Sequence, residues 1–276
     1  MNLQDLTPLA EGRVSHVFVT RDNKVLKLLH ATVPDWKVED EFRRCRIVAE
    51  AGVPSPRALE LVEIDGRRGI LFEWAGKRDL MKAKLGNPLN LRSGAHFMSD
   101  IHRDFLNREA PDLPDIKEEA WRMGQTLPEG TIRPEQLAVL RRYLDQLPEG
   151  RNICHMDFHP ANIMLNDAGY QVIDWSEAVK GAPEADVAMT SLMLSMAETA
   201  PGTSLLLKVI IPVFRKAFEK SYRRHLTAQM DMTEEDLRKW ALVTGIFRMA
   251  MWQLEGERPF LTAMIQDHLN QFENHD

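Results

Sequence analysis

Residues Ile153–Leu165 read ICHMDFHPANIML, and their interpretation decides the fold. Two histidines, an aspartate and an asparagine fall within eight residues, after which the chain returns to apolar, strand-like sequence. Three readings compete for such a stretch: a metal cluster, a catalytic loop, or a polar turn without chemistry.

Downstream sequence separates them. After Asn162 come IML, NDAG, YQVI and then Asp174-Trp175. The two short apolar runs read as strands, and Asp167-Ala168-Gly169 suits a three-residue hairpin loop with glycine in the left-handed position. Counting outward from that loop pairs Ile163 with Ile173 and Asn162 with Asp174. Directly paired residues have Cβ atoms about 4.5–5.5 Å apart, so an amide and a carboxylate could share one cation. Both are hard oxygen donors and suit Mg²⁺ better than zinc. Asp157, on the loop leading into the same hairpin, is a carboxylate able to accept a proton from an attacking hydroxyl.

Composition narrows the function class. A formal net charge of −6 argues against broad binding of nucleic acid or anionic membranes, which need a positive surface. The two cysteines, Cys45 and Cys154, fall in segments that read as a helix and a buried strand, so a disulfide framework is not expected. The N-terminal MNLQDLTPLAEG lacks the basic start and apolar core of a signal peptide, and LLLKVIIPVF is interrupted by Lys208 and Pro212. The expectation is a cytoplasmic protein with a small-molecule partner and neither nucleic acid nor membrane.

Periodicity gives the organisation. Residues 13–29 read as two strands around the turn Arg21–Lys24, and 35–51 as a helix whose one face carries Trp36, Phe42, Cys45, Val48 and Ala49. Gly52 and Pro54 end that helix, and ALELVEIDGRRGILFEW reads as a hairpin turning at Asp65-Gly66. Beyond Gly76 helical patterns dominate, at 91–106, 134–147, 185–199, 204–228, 233–254 and 258–273. Thr233 opens a capping-box pattern, and Pro212 is expected to kink or divide its helix. The division expected is 1–75, β-rich, and 76–276, mostly helical.

Taken together, His155-x-Asp157-x-x-x-x-Asn162, the Ile173-Asp174-Trp175 that places Asp174 17 residues after Asp157, and GAPEADVA resemble the aminoglycoside phosphotransferase and choline kinase branch of the kinase superfamily. The HRD and DFG signatures of eukaryotic-type protein kinases are not present. The resemblance implies a two-lobed α+β protein-kinase-like fold with ATP, or alternatively GTP, bound between the lobes. It implies transfer of the γ-phosphoryl group to a hydroxyl of a small molecule, with Asp157 as the catalytic base and Asn162 and Asp174 as the Mg²⁺ ligands. Lys27, in VLKL, resembles the strand lysine that contacts nucleotide phosphates. Glu41 is its first candidate partner and Glu39 the second. LFEWAG resembles the linker that hydrogen-bonds adenine through its backbone, which assigns Glu73 and Ala75 to nucleotide binding. Two features depart from the family pattern: no GxGxxG precedes Lys27, and Met156 stands where glycine is common.

Other readings are weighed against this one. A catalytically silent, pseudokinase-like nucleotide-binding module would keep the fold. A zinc hydrolase would use His155, Asp157 and His159, but no distant His or Cys at a recognisable spacing completes such a site. His155 is read as orienting the loop, through backbone or Asp174, and His159 as either loop packing or a substrate contact. Asp186 is read as a helix cap or loop brace and His102 as a satisfied core histidine. Glu177, Glu184, Glu255 and Glu257 are read first as solvated helix ends and only second as a site for a polyamine-like acceptor. The resemblance does not select among aminoglycoside, macrolide, choline, sugar and amino-alcohol acceptors.

Overall fold

The structure, a computed structural model, describes residues 4, 6–85, 87–196, 205–252 and 255–275. By internal contacts the chain forms two compact units, residues 1–86 with 160–177, and residues 87–159 with 178–276. This partition differs from a single cut at Gly76, because a hairpin from the second half of the sequence joins the first unit.

The first unit is built on a five-stranded antiparallel sheet. Its strands are β1 (Thr7–Glu11), β2 (Ser15–Val19), β3 (Val25–Leu29), β4 (Ala58–Ile64) and β5 (Arg67–Phe72), in the order β1-β2-β3-β5-β4. Helix α1 (Asp35–Glu50) follows β3. Alternation along β3 buries Leu26 and Leu28 in a cluster with Ile64 and Leu71, which turns Lys27 to the opposite face. The β4–β5 turn is the two-residue loop expected, with Asp65 at φ 51° and Gly66 at φ 70°, both left-handed as a tight hairpin requires. Strand β6 (Arg78–Asp79) pairs with β8 (Ile163–Asn166), which pairs with β9 (Gly169–Val172) in a three-stranded sheet. Strands β1 and β6 were not evident in the sequence pattern.

The second unit is helical, with α2 (Leu91–Leu106), α3 (Ile116–Gly124), α4 (Pro134–Gln146), α5 (Pro183–Met196), α6 (Leu205–Met230), α7 (Glu234–Arg238), α8 (Ala241–Trp252) and α9 (Arg258–His275). Strands β7 (Asn152–Cys154) and β10 (Val179–Gly181) pair antiparallel beside the loop that opens at His155. The core gathers Ile116, Leu140, Met189, Trp240, Phe247 and Ile265 with their neighbours. Among the described residues no helix is long and apolar enough to cross a membrane.

Four expectations need correction. Trp36 is not on the buried face of α1 but 54% exposed; the face that is buried carries Val38, Glu41, Arg44, Cys45 and Val48. Helix α6 is not divided at Pro212, which lies inside it as an exposed residue. The span 233–254 is two helices, because the chain turns at Lys239-Trp240, where the Tyr143 hydroxyl donates to the Lys239 carbonyl at 2.6 Å and Trp240 is fully buried. Helix α3 was missed, although its N-cap Asp115 accepts from the Lys117 amide at 2.9 Å. The capping box at Thr233 forms with Asp236, as its pattern implied. Residues 197–199, 204 and 253–254, included in three expected helices, lie outside the described residues.

Candidate active site

The first unit holds a charged cluster. The Lys27 ammonium, on β3, donates to Glu41 Oε1 at 2.7 Å and to Asp174 Oδ1 at 2.9 Å. Glu41 comes from the buried face of α1, while Glu39 points away and pairs with Arg68 at 2.7 Å, which separates the two candidates. Burial pulls the Lys27 pKa down, but the Asp174 and Glu41 carboxylates outweigh it and hold the ammonium charged above its ordinary range. Asp174 also accepts the Ser176 hydroxyl at 3.2 Å.

Asp174 gets there by an unusual backbone turn. The β8–β9 register pairs Asn166 with Gly169 and Ile163 with Val172, so the loop has two residues, Asp167 and Ala168. The expected three-residue loop, and with it the pairing of Asn162 with Asp174, is therefore one residue out of register. The Asn162 carbonyl instead accepts the Ile173 amide at 2.9 Å. Gly169, at φ 125°, opens β9 rather than closing the loop, and the Asn166 side chain completes the turn by accepting the Ala168 amide at 3.0 Å. Asp174 follows at φ 66°, a left-handed conformation that redirects its side chain toward Lys27. Next to it, the Trp175 indole is buried and donates to the Val172 carbonyl at 3.0 Å, which anchors the bend.

Asn162 is buried at the same end of this hairpin, at the close of the short turn Pro160–Asn162. An amide and a carboxylate at that end, the latter with a side chain 38% exposed, form a hard-oxygen donor set of the kind Mg²⁺ takes when phosphates and water supply its other positions. Among the described residues no three His, Cys, Asp or Glu side chains converge as a closed metal site would need. Of the linker residues, Glu73 binds Arg57 through 2.6 Å and 2.9 Å contacts, which hold its carboxyl below the usual range. The Ala75 carbonyl accepts from Asn166 Nδ2 at 2.9 Å, which ties the linker to the hairpin.

The second unit holds the start of the His155–Asn162 loop. The Asp186 carboxylate, fully buried in the first turn of α5, accepts the His155 amide at 2.7 Å and the Met156 amide at 2.8 Å. Asp186 is thus a loop brace. Met156 sits at φ 62°, a conformation costing a non-glycine residue roughly 1–2 kcal/mol, and its side chain is buried in the core. His155 is buried, and its Nδ1 accepts the Asp157 amide at 3.2 Å, so it orients the loop through backbone. His159 Nε2 lies 3.8 Å from Asp157 Oδ2. His102 is a core histidine with both nitrogens engaged, Nε2 with Asp186 at 3.0 Å and Nδ1 with the Tyr222 hydroxyl at 2.5 Å. Glu257 is no solvated helix end: it is buried, and Arg248 contacts both its oxygens at 2.7 Å.

With this geometry in view, the model of the phosphotransferase enzyme family matches residues 5–230. The chain belongs to that family. No curated protein matches the chain as a relative. Solved structures share the fold at low identity. An aminoglycoside-3'-phosphotransferase of type VIII is 17% identical with a TM-score of 0.62, over 88% of this chain and 94% of that one. A thermostable mutant of aminoglycoside phosphotransferase APH(4)-Ia, in ternary complex with AMP-PNP and hygromycin B, is 18% identical with a TM-score of 0.61, over 97% and 92%. Amicoumacin kinase hAmiN, in complex with AMP-PNP, Ca²⁺ and Ami, is 13% identical with a TM-score of 0.57, over 100% and 93%. This phosphotransferase-family chain therefore has the kinase-like fold, β-rich at its N-terminal end and helical at its C-terminal end. Tyr222 and its link to His102 were missed by sequence reasoning, since nothing local to α6 marks one tyrosine among many buried side chains.

Proposed function

We propose that the protein transfers the γ-phosphoryl group of ATP to a hydroxyl of a small molecule, in the manner of aminoglycoside phosphotransferases. The observation that carries this reading is the Lys27 ammonium held between Glu41 and Asp174 on one face of the sheet. A cation fixed by one buried carboxylate and one more exposed carboxylate is ready to meet phosphate oxygens, with family membership naming the reaction class.

Lys27, held in place by Glu41, neutralises charge on the nucleotide phosphates. Asn162 and Asp174 would hold Mg²⁺, which when bound would supply positive charge to offset that of the phosphates. The backbone of Glu73 and the N–H of Ala75 receive adenine. Asp157 orients the acceptor hydroxyl and takes its proton as the oxygen–phosphorus bond forms. Positioning and electrostatics supply most of the acceleration in such reactions, so a few charged groups on rigid elements suffice. Solved structures of the same fold in complex with hygromycin B and with Ami support trying such compounds first as acceptors.

The test is ATP consumption by the purified protein against aminoglycosides, macrolides, choline, amino alcohols and sugars, with product phosphorylation checked by mass spectrometry. Acceptor-dependent ADP release is the expected result. Binding of Mg-ATP with no transfer to any acceptor would favour a silent nucleotide-binding module instead.

A further inference from the structure

Around Asp157 the loop is gripped on both sides by one buried polar chain. Upstream, Asp186 accepts the His155 and Met156 amides. Downstream, the Phe158 ring lies 4.5 Å from the His102 ring, centroid to centroid. His102 also holds Asp186 through Nε2, so one imidazole touches what fixes the loop before Asp157 and the residue after it. A carboxylate only accepts, so His102 Nε2 donates to Asp186 and Nδ1 is left to meet the Tyr222 hydroxyl. Tyr222 is fully buried, and the Ser99 hydroxyl donates to its carbonyl at 2.9 Å, which keys α6 to α2 at this point. Buried ionic networks are poor sources of net stability, and the geometric output of this one is the loop.

Met156 shows why a grip is needed. A left-handed methionine relaxes toward negative φ unless its surroundings hold it, and such a change would swing the next residue, Asp157. Two consecutive amides on one carboxylate, plus a side chain buried in the core, supply that hold.

We propose that Tyr222 acts through His102 and Asp186 as a positioning residue, fixing the strained Met156 joint so that Asp157 faces the acceptor hydroxyl. This rests on the reading of Asp157 as the base.

The experiment compares the full-length wild type with Tyr222→Phe, Asp186→Asn, Met156→Gly and the double variant Met156→Gly/Asp186→Asn. It measures kcat and KM for ATP, amide hydrogen exchange at residues 155–157, and melting temperature. Tyr222→Phe should lower kcat by about three- to tenfold and Asp186→Asn by about tenfold or more, with KM for ATP within about twofold, because only the acceptor-side group is misplaced. Exchange at 155 and 156 should quicken in both. Adding Met156→Gly to Asp186→Asn should recover about threefold or more in kcat, since glycine takes the left-handed conformation without the Cβ clash. A fall in melting temperature with kcat per folded molecule unchanged would overturn the proposal, as would a further loss of kcat in the double variant. If Asp186→Asn does not fold, Tyr222→Phe, which keeps the ring, carries the test. Retained turnover in Asp157→Asn would remove the base assignment, whereas the exchange rates in Tyr222→Phe report on the grip itself.

Discussion

Asp174 lies 147 residues along the chain from Lys27, yet its Oδ1 sits 2.9 Å from the Lys27 ammonium. That contact exists because the chain turns left-handed at Asp174 directly after β9, with Trp175 buried behind it. The carboxylate assigned to the metal and the ammonium assigned to the phosphates therefore share one electrostatic cluster. On the proposed function, the phosphates and cation of Mg-ATP would give each group the counter-charge that the other supplies in this structure.

Asp174→Ala should abolish the Mg-dependent increase in melting temperature produced by ATP. It should also lower turnover by a factor on the order of 100 or more, the scale seen when a charge-stabilising group is removed. Thermal shift with and without Mg²⁺ checks the first part, and an unchanged ATP-induced shift would count against the metal role.

Glu41→Gln and Glu39→Gln should behave differently although two residues apart. Glu41 is buried against Lys27, and losing its charge leaves the ammonium with Asp174 alone, so stability should fall by about 1–3 kcal/mol and KM for ATP should rise. Glu39 is an exposed partner of Arg68, and its loss should stay within about 0.5 kcal/mol. Urea midpoints of the two variants decide it; equal effects would mean that Glu41 does not position Lys27.

That pair also shows what a sequence can and cannot reveal. The charged residue types and their spacing were legible because the hairpin, the VLKL strand and the helix after it each carry a local pattern. The choice of Glu41 needed the face of α1 buried at Val38, Cys45 and Val48, whereas the apolar residues alone suggested a face including the exposed Trp36. The hairpin register failed for a local reason: a glycine after Asp167-Ala168 can close a three-residue loop or open the next strand. The Asn166 side chain, accepting from Ala168, closes the shorter loop. The His102–Tyr222 contact joins helices 120 residues apart in sequence and has no local signature at all.

Asp157→Asn should reduce transfer by a factor on the order of 10² to 10⁴, the contribution of a positioned general base. Mg-ATP binding should survive, because the residues assigned to nucleotide and metal are left untouched. Product formation and the ATP-induced melting shift, measured on the same preparation, separate a lost base from a lost site.

Gly69→Ala should loosen the strand that carries Lys27. Gly69 pairs with Leu28, and a Cβ there would come within 2.6 Å of the Lys27 carbonyl oxygen and 3.0 Å of the Leu28 Cα. Both are backbone atoms in a central strand and cannot step aside without opening the ladder. A loss of about 1–3 kcal/mol, the usual cost of overpacking, should appear as a lower urea midpoint, with KM for ATP raised. A midpoint equal to wild type would show that β3 and β5 tolerate a wider separation.

Asp186 should give the protein a defined acid sensitivity. Burial pushes its carboxyl up, but the hydrogen bond and charge of His102, with help from His155, outweigh that and hold it below the ordinary carboxylate range. In the unfolded chain the same group titrates near about 3.9. Folding thus favours the deprotonated form, and the unfolded state binds the extra proton in between. The stability it contributes is fully present above the unfolded pKa and is lost as pH falls through the lower, folded value. Asp186→Asn should therefore be less stable than wild type at neutral pH, by about 2 kcal/mol, the scale of a hydrogen bond to a charged group. The difference should shrink steadily from pH 5 towards pH 2. Urea midpoints across that range test the sign, since a gap that widens in acid would mean that Asp186 is protonated in the native state and cannot accept all three donors.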